Sequence, residues 1–596
     1  MSAAKPTLIR RCTSYLNVER HARWLGLSLL VGAVAGLGAV LFDVLLKHAV
    51  HLLIDLPMGL TDPPVGTEPD ASFLPYLGSY WIVFMATLGG LASGLLVFNL
   101  APEAEGHGTD AMIESFHRRG GYVRTRVPLV KLVASALTIG SGGSAGKEGP
   151  IAQIGSGFAS FLATKLKLKP RERRILLLAG AAGGIGAIFQ APLGGALFVP
   201  EVLYRDTEFE FESILSCILS SIMAHAVFSQ AMGRHALFSP GLVQFSMPNE
   251  LPAYACFGVV CAIVGFIYIK TFYGLRDHVF HKIPIPDMFK PAIGGFLMGC
   301  VALFYPEVID GGYAHIQDAL AGNFFWGTML ILAFMKIIAT SFTISSGGSG
   351  GVFGPSVFIG AMLGGAFGQF GNHLAPAWVV HPNAFVLVGM GGFFAGVAKV
   401  PVSSIIMACE MSGSYTLLVP LMLVSTISYL LLERVSLYEK QVFNRISSPA
   451  HKSEIARTLL ADMFVYETVA ERPITVINEA LPFKDLVRLV TQSTESYFPV
   501  VNKAGDMTGI LSINDIREIM FDDSLTALIV AKDVATSNVV RVYWHETLGD
   551  ALDKMVRLNV NELPVVRESD PDRIVTMISK QDIITRYYST ECSYSS

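Results

Sequence analysis

The chain has 596 residues, of which 52% are hydrophobic and only 15% charged, with a mean hydropathy of +0.50, whereas soluble proteins carry about 25% charged residues. These values exclude an ordinary soluble enzyme and point to a membrane protein. A net charge of −4 excludes a nucleic-acid binder, which shows a basic patch with interleaved aromatics.

From the N-terminus, Arg10, Arg11, Arg20 and Arg23 precede an apolar run from Trp24 to Leu46. That run is too long for a secretory h-region and has no A-x-A cleavage site, so it reads as the first membrane helix. Further apolar stretches lie at about 80–100, 127–140, 176–203, 213–230, 254–274, 287–304, 325–344, 356–370, 384–409 and 416–432, each near bilayer length or shorter. The early arginines and the run Lys165–Arg174 fall on the cytoplasmic side by the positive-inside rule. The expectation is a multi-pass protein of the cell (inner) membrane with both termini cytoplasmic. From Pro449 to Ser596, 37 of 148 residues are charged, about 25%, against about 12% before it. The chain therefore divides into a segment 1–23, a membrane domain 24–448 and a soluble region 449–596. The seven cysteines form no CxxC pair and suggest packing rather than a disulfide framework or a zinc site.

Within the membrane domain the sequence repeats. Gly146-x-x-Gly149-Pro150-x-x-x-Ile154-Gly155 returns as Gly351-x-x-Gly354-Pro355-x-x-x-Ile359-Gly360. Leu178, Gly180, Pro192 and Glu201 return as Leu387, Gly389, Pro401 and Glu410, all displaced by 209 positions. Two related halves with glycine-broken helices mark a transport protein whose site lies at the repeat interface. The tail repeats too: Tyr497-Phe-Pro-Val-Val501 and Ser512/Asp515 are echoed by Glu562-Leu-Pro-Val-Val566 and Ser579/Asp582. Each tail unit reads as helix, strand, turn, strand, helix.

A helix start behind a glycine-rich loop offers backbone N–H groups without internal partners, together with the positive end of the helix dipole. Pro150 and Pro355, each just inside such a start, turn both GxxGP elements into anion-binding termini, with Gly146, Gly149 and Gly351 framing the donors. Weak binding by backbone donors also lets an ion leave, as conduction requires. Glu148 stands among these donors, and an ionisable residue at membrane depth is a functional candidate. Ionised, it can fill an anion's place; protonated, it vacates it. The Gly142-x-Ser144-x-Gly146 match to a nucleophile elbow needs a preceding strand, whereas 127–139 is an apolar helix, so no enzyme is read here.

The motifs GKEGP (146–150), GVFGP (351–355), QAPLGGALFVPE (190–201) and SLYEKQVFNR (436–445) together resemble the CLC family of chloride channels and proton/chloride antiporters. The tail resembles the paired CBS domains of many such proteins, at about 460–523 and 530–590. The resemblance implies an all-α polytopic membrane protein of inverted-repeat halves followed by a small α/β tandem CBS module. It also implies a homodimer in the lipid bilayer, carrying chloride or other small monovalent anions. Glu148 matches the gating glutamate, Val352 and Phe353 the residues whose amides hold the anion, and Tyr438 the tyrosine closing the inner side. The family's GSGIP element stands here as Gly106-His107-Gly108-Thr109-Asp110, so His107 brings a group that titrates near neutral pH to the inner anion site beside Gly108, or else turns away. Antiporters carry two successive acidic residues where this chain has Glu201 and Val202. Valine carries no proton, which favours a channel with a proton-sensitive gate over a proton-coupled antiporter. No cofactor is required. Ser512, Asp515, Ser579 and Asp582 resemble the CBS contacts to an adenine nucleotide, but such pairs are also ordinary N-caps, which leaves a structural coupling module as the other reading. A nucleotide-sensing regulator is the reading from a different functional class.

Overall fold

In the computed structural model, which describes residues 18–58, 80–233, 237–238, 245, 248–451, 458–469, 474–519 and 528–594, proline and glycine set where the apolar stretches start and stop being helical. The first half of the membrane unit runs through α1 (Val18–Val50), α2 (Tyr80–Leu100), α3 (Thr109–Arg118), α4 (Val127–Gly140), α5 (Glu148–Lys165), α6 (Pro170–Ile188), α7 (Pro192–Glu201) and α8 (Phe211–Met232). The second half runs through α9 (Leu251–His278), α10 (Lys290–Ala302), α11 (Tyr313–Ala321), α12 (Trp326–Ser345), α13 (Phe353–Leu374), α14 (Ala384–Ala398), α15 (Pro401–Ser412) and α16 (Leu418–Leu431). Among the described residues, five helical stretches are long and apolar enough to cross a membrane: Arg23–Asp55, Tyr80–Leu100, Phe211–Met232, Pro248–Lys282 and Trp326–Ser345.

Two of the expected continuous stretches are broken. The run 176–203 divides at Gln190 (φ +53°) before Pro192, and 384–409 divides at Lys399 (φ +61°) before Pro401. Proline lacks the N–H that a continuing helix needs, and each left-handed residue turns the chain before the next helix begins. The 209-residue displacement relates both breaks. The helix ending in each of these short pairs caps the other. Glu201, at the end of α7, accepts from Val402 N (2.9 Å), Ser403 N (2.7 Å) and the Ser403 hydroxyl at the start of α15. Glu410 in α15 accepts from Leu193 N (3.2 Å) and Gly194 N (2.7 Å) at the start of α7. A carboxylate at a helix N-terminus meets orphan donors and the dipole together.

Close helix contact explains other repeated glycines. A Cβ on Gly155 would lie 2.1 Å from Gly180 O, and one on Gly360 would lie 2.2 Å from Gly389 O, so α5 packs on α6 as α13 packs on α14. A displacement of 205 residues relates the buried Lys131 of α4 to Lys336 of α12. Lys131 Nζ donates to the carbonyls of Ala104 (3.0 Å) and Gly106 (2.6 Å), ahead of α3. Lys336 Nζ donates to those of Val308 (2.8 Å), Ile309 (3.3 Å) and Asp310 (2.6 Å), ahead of α11. Each lysine thereby fixes the loop that launches a short helix.

The membrane unit, Met1–Ala450, is distinct from a second unit, His451–Ser596. The second holds two three-stranded sheets. In the first, β1 (Ile477–Asn478) runs parallel to β2 (Tyr497–Val501), which is antiparallel to β3 (Met507–Ser512); the helices are α17 (Phe483–Gln492) and α18 (Ile513–Ile519). The second repeats this with β4 (Val542–Tyr543), β5 (Glu562–Arg567) and β6 (Asp570–Ser579), and helices α19 (Leu548–Leu558) and α20 (Lys580–Tyr594). The leading parallel strands β1 and β4 are additions to the order read from sequence.

Candidate functional site

The loops before α5 and α13 turn at Gly142 (φ +101°) and Gly347 (φ +99°), conformations in which a side chain is strained. They meet antiparallel: Gly146 N donates to Gly351 O at 2.7 Å and Gly351 N donates to Gly146 O at 2.6 Å. This corrects the reading of Gly146 and Gly351 as anion donors, because each amide is already committed to the other loop. The bridge instead brings the starts of α5 and α13 together. Gly149 seats α5 on the His107 loop, since a Cβ there would lie 1.9 Å from His107 O.

Glu148 is 2% exposed. Its Oε2 accepts from Gly354 N at 3.3 Å, in the first turn of α13, and its Oε1 accepts from the Tyr313 hydroxyl. Lys147 points away to Asp43 of α1, Nζ to Oδ1 2.9 Å, and Asp43 also meets Lys47 at 3.0 Å. Tyr313, the first residue of α11, is a partner that motif reading missed. Its signal lay in the repeat, which relates the start of α3 at Thr109 behind Gly108 to the start of α11 at Tyr313 behind Gly312.

A small cavity beside Glu148 is lined by Thr109, Gly149, Ile185, Phe189, Phe198, Phe353 and Tyr438. Phe353 begins α13, so its amide and that of the preceding Val352 have no partner within the helix. The Phe353 ring is clasped by Phe394 (centroids 4.2 Å apart) and Phe189 (4.5 Å). Tyr438 closes the other side across from Thr109, and Tyr438 N donates to Ser436 Oγ at 3.1 Å. The cavity therefore joins one carboxylate, one phenol and the first turns of α3, α5 and α13. That arrangement suits a single small anion stripped of part of its water.

His107 sits behind Gly108 (φ +79°), its ring centroid 5.3 Å from that of Tyr438. Its Nε2 lies 3.2 Å from Asp110 Oδ2. Asp110 also accepts from Glu439 N (3.2 Å) and Lys440 N (3.1 Å), tying the Tyr438 loop to α3. A cavity of about 480 Å³ opens here, with His107, Gly108, Asp110, Glu105 and Arg276 in its wall. Glu201 is buried as the α15 cap, and the fully buried Val202 gives its carbonyl to Gln441 Nε2 at 2.9 Å. Neither lines the cavity beside Glu148.

In the second unit the two Ser/Asp pairs close on themselves. Ser512 N and Oγ both donate to Asp515 Oδ2 at 2.8 Å, while Ser579 N (2.9 Å) and Oγ (2.7 Å) donate to Asp582 Oδ2. These are caps of α18 and α20. A cavity of about 240 Å³ takes in Ser579, Asp582 and Thr576 with Tyr497, Glu495 and Glu562; Ser512 and Asp515 lie outside it. Burial, with the charges of Asp582 and Glu495, raises the proton affinity of Glu562 above the usual carboxylate range.

Residues 89–433 match the family profile described as "Voltage gated chloride channel", and residues 465–522 and 531–589 each match a CBS domain. The chain is 31% identical over 410 residues to a Vibrio cholerae protein named "H(+)/Cl(-) exchange transporter ClcA", covering 67% of this chain and 84% of that one. It is 31% identical over 419 residues to "Chloride channel protein CLC-e" of Arabidopsis thaliana, covering 66% of this chain but only 57% of the plant protein. The solved structure of "a slow cyanobacterial Cl-/H+ antiporter" shares the fold, with a TM-score of 0.62 at 21% identity over 73% of this chain and 98% of that one.

Proposed function

Because this chain belongs to the voltage-gated chloride channel family and carries two CBS domains behind its membrane unit, we propose that it exchanges chloride for protons across the membrane. The single observation that carries this reading is Glu148, a carboxylate resting on the Gly354 amide at a helix start that suits an anion. Ionised, it holds that place against chloride. Once protonated it gives up the Gly354 amide, chloride moves past, and the proton travels the opposite way. Val352, Phe353, Gly149 and Tyr438 form the remainder of the anion path in this reading. The named likeness to an exchange transporter supports exchange over the channel that Val202 alone favours.

The topology follows from charge. The chain at Gly121 touches the backbone of Arg173 and Arg174, and nearby Arg119 and Arg124 line the larger cavity. The positive-inside rule then turns that cavity toward the cytoplasm, with the N-terminus and the CBS unit on the same side. A homodimer with one path per subunit, and an adenine nucleotide at the Ser579/Asp582 cavity, complete the proposal.

A channel remains the second reading, and its support is the buried Val202. Reconstitution in liposomes with a chloride gradient and ionophore-set voltage separates the two. A zero-flux potential displaced by an imposed pH gradient, with chloride driving protons uphill, establishes exchange. A potential fixed at the chloride value, indifferent to pH gradient, establishes a channel.

A further inference from the structure

Exchange requires a proton to travel between the cytoplasmic side and Glu148, and Val202 has no group to carry it. Its neighbour Glu201 caps α15, accepting from two amides and a hydroxyl, and does not line the cavity beside Glu148. The route must lie elsewhere.

The His107 end has the required parts. His107 is 7% exposed and stands between the larger cavity and Tyr438, which itself lines the Glu148 cavity. Asp110 is held by the Glu439 and Lys440 amides, so its carboxylate is fixed in place, with Oδ2 3.2 Å from His107 Nε2. In the tautomer that carries its hydrogen on Nε2, toward that carboxylate, Nδ1 bears the lone pair. Nδ1 is buried and has no hydrogen-bond partner among the described residues. A buried ring nitrogen without a donor is a place that a proton can occupy.

We propose that His107 is the proton-transfer residue for Glu148, taking at its own position the role that Val202 cannot perform. This rests on the exchange reading above. A proton from water in the larger cavity adds to Nδ1, making the ring an imidazolium paired with Asp110. The imidazolium then releases that proton by way of water past Tyr438 to the Glu148 carboxylate, leaving a neutral ring and a neutral carboxyl. Anion and proton thus share the His107 end of the path. While charged, the ring also attracts the departing chloride.

Charged groups surround the ring. Asp110 in the first turn of α3 and Glu105 in the preceding loop line the same cavity, while Lys131 of α4 donates to the Ala104 and Gly106 carbonyls. From the Tyr438 loop come Glu439 and Lys440. Glu439 is paired at 2.7 Å with Arg276 of α9, and His281 beyond α9 completes the cavity wall.

The test reads protons and chloride together in liposomes holding the full-length protein. Wild type is expected to take up protons against their gradient as chloride leaves. His107→Ser and His107→Gln should lower the proton-to-chloride ratio at least about tenfold while chloride flux, which reports a folded protein, stays measurable; His107→Glu should retain coupling. A wild-type ratio in the Ser and Gln variants overturns the proposal and leaves exchange intact. Absence of proton movement in wild type overturns both. If neither variant conducts, Asp110→Asn decides: coupling lost at neutral pH and regained at lower pH supports the histidine, and an unshifted pH profile overturns it.

Discussion

At the Glu148 end of the cavity, α11 starts at Tyr313 behind Gly312 (φ +79°), with Lys336 gripping three carbonyls beneath the loop. At the opposite end, α3 starts at Thr109 behind Gly108 (φ +79°), with Lys131 gripping two. The backbone plan is the same and the side chains differ. One end sets a tyrosine hydroxyl on a buried carboxylate; the other sets a histidine between a carboxylate and a tyrosine ring. The repeat thus supplies two matching helix starts, one at the cavity wall through Thr109 and one that reaches Glu148 through Tyr313, and a few side chains decide what each start does with an anion and a proton.

Glu148→Gln breaks the comparison most severely. Glutamine cannot be ionised, so proton uptake should fall to background and chloride flux should lose its pH dependence; unchanged pH dependence would remove Glu148 from the mechanism. Next in size, replacing either lysine by methionine strands buried carbonyls at about 1–3 kcal/mol each. Lys336→Met, with three acceptors and the Phe358 ring 4.9 Å from Nζ, should lower the thermal midpoint in detergent more than Lys131→Met. Equal losses would mean that the two loops are held by something other than these lysines. Smaller again is Tyr313→Phe. A hydrogen bond to a charged group contributes about 1.5–3 kcal/mol, so losing the hydroxyl loosens ionised Glu148 and should raise chloride flux at neutral pH roughly tenfold. No change would assign Tyr313 to packing alone.

Much of this plan is legible in the amino-acid sequence, because a proline after a glycine-rich or left-handed turn marks the start of α5, α7, α13 and α15. Glu148, Gly149, Phe353 and Tyr438 fall at one cavity. Gly146 and Gly351 mislead because local sequence shows a free amide but not the antiparallel loop that takes it. Tyr313 escapes motif reading because its partner is 165 positions away and its own neighbourhood is an ordinary glycine turn. The breaks at Gln190 and Lys399 are announced by Pro192 and Pro401, yet averaged hydropathy runs straight through a two-residue turn. In the tail, β1 and β4 are two residues long, too short to show alternation.

The tail offers the mildest version of the same comparison, since its two units share a plan and the second presents its Ser/Asp pair to a cavity of about 240 Å³ that Ser512 and Asp515 do not line. Glu562 occupies the place that Tyr497 holds in the first unit. Burial and the Asp582 and Glu495 charges make its ionised form costly, so protonation begins above the usual carboxylate range. The ionised form therefore subtracts stability as pH rises through that raised range, and it faces any phosphate with like charge. Adenosine triphosphate should accordingly bind the full-length protein more tightly as pH falls toward that range. Glu562→Gln should tighten binding at neutral pH by roughly two- to fivefold and flatten the pH profile, a modest effect because solvent reaches the site. Tighter binding in the variant without the pH dependence in wild type would locate the repulsion at Asp582 or Glu495 instead. No binding in either protein would leave the Ser579/Asp582 pair as the helix cap that its hydrogen bonds already make it.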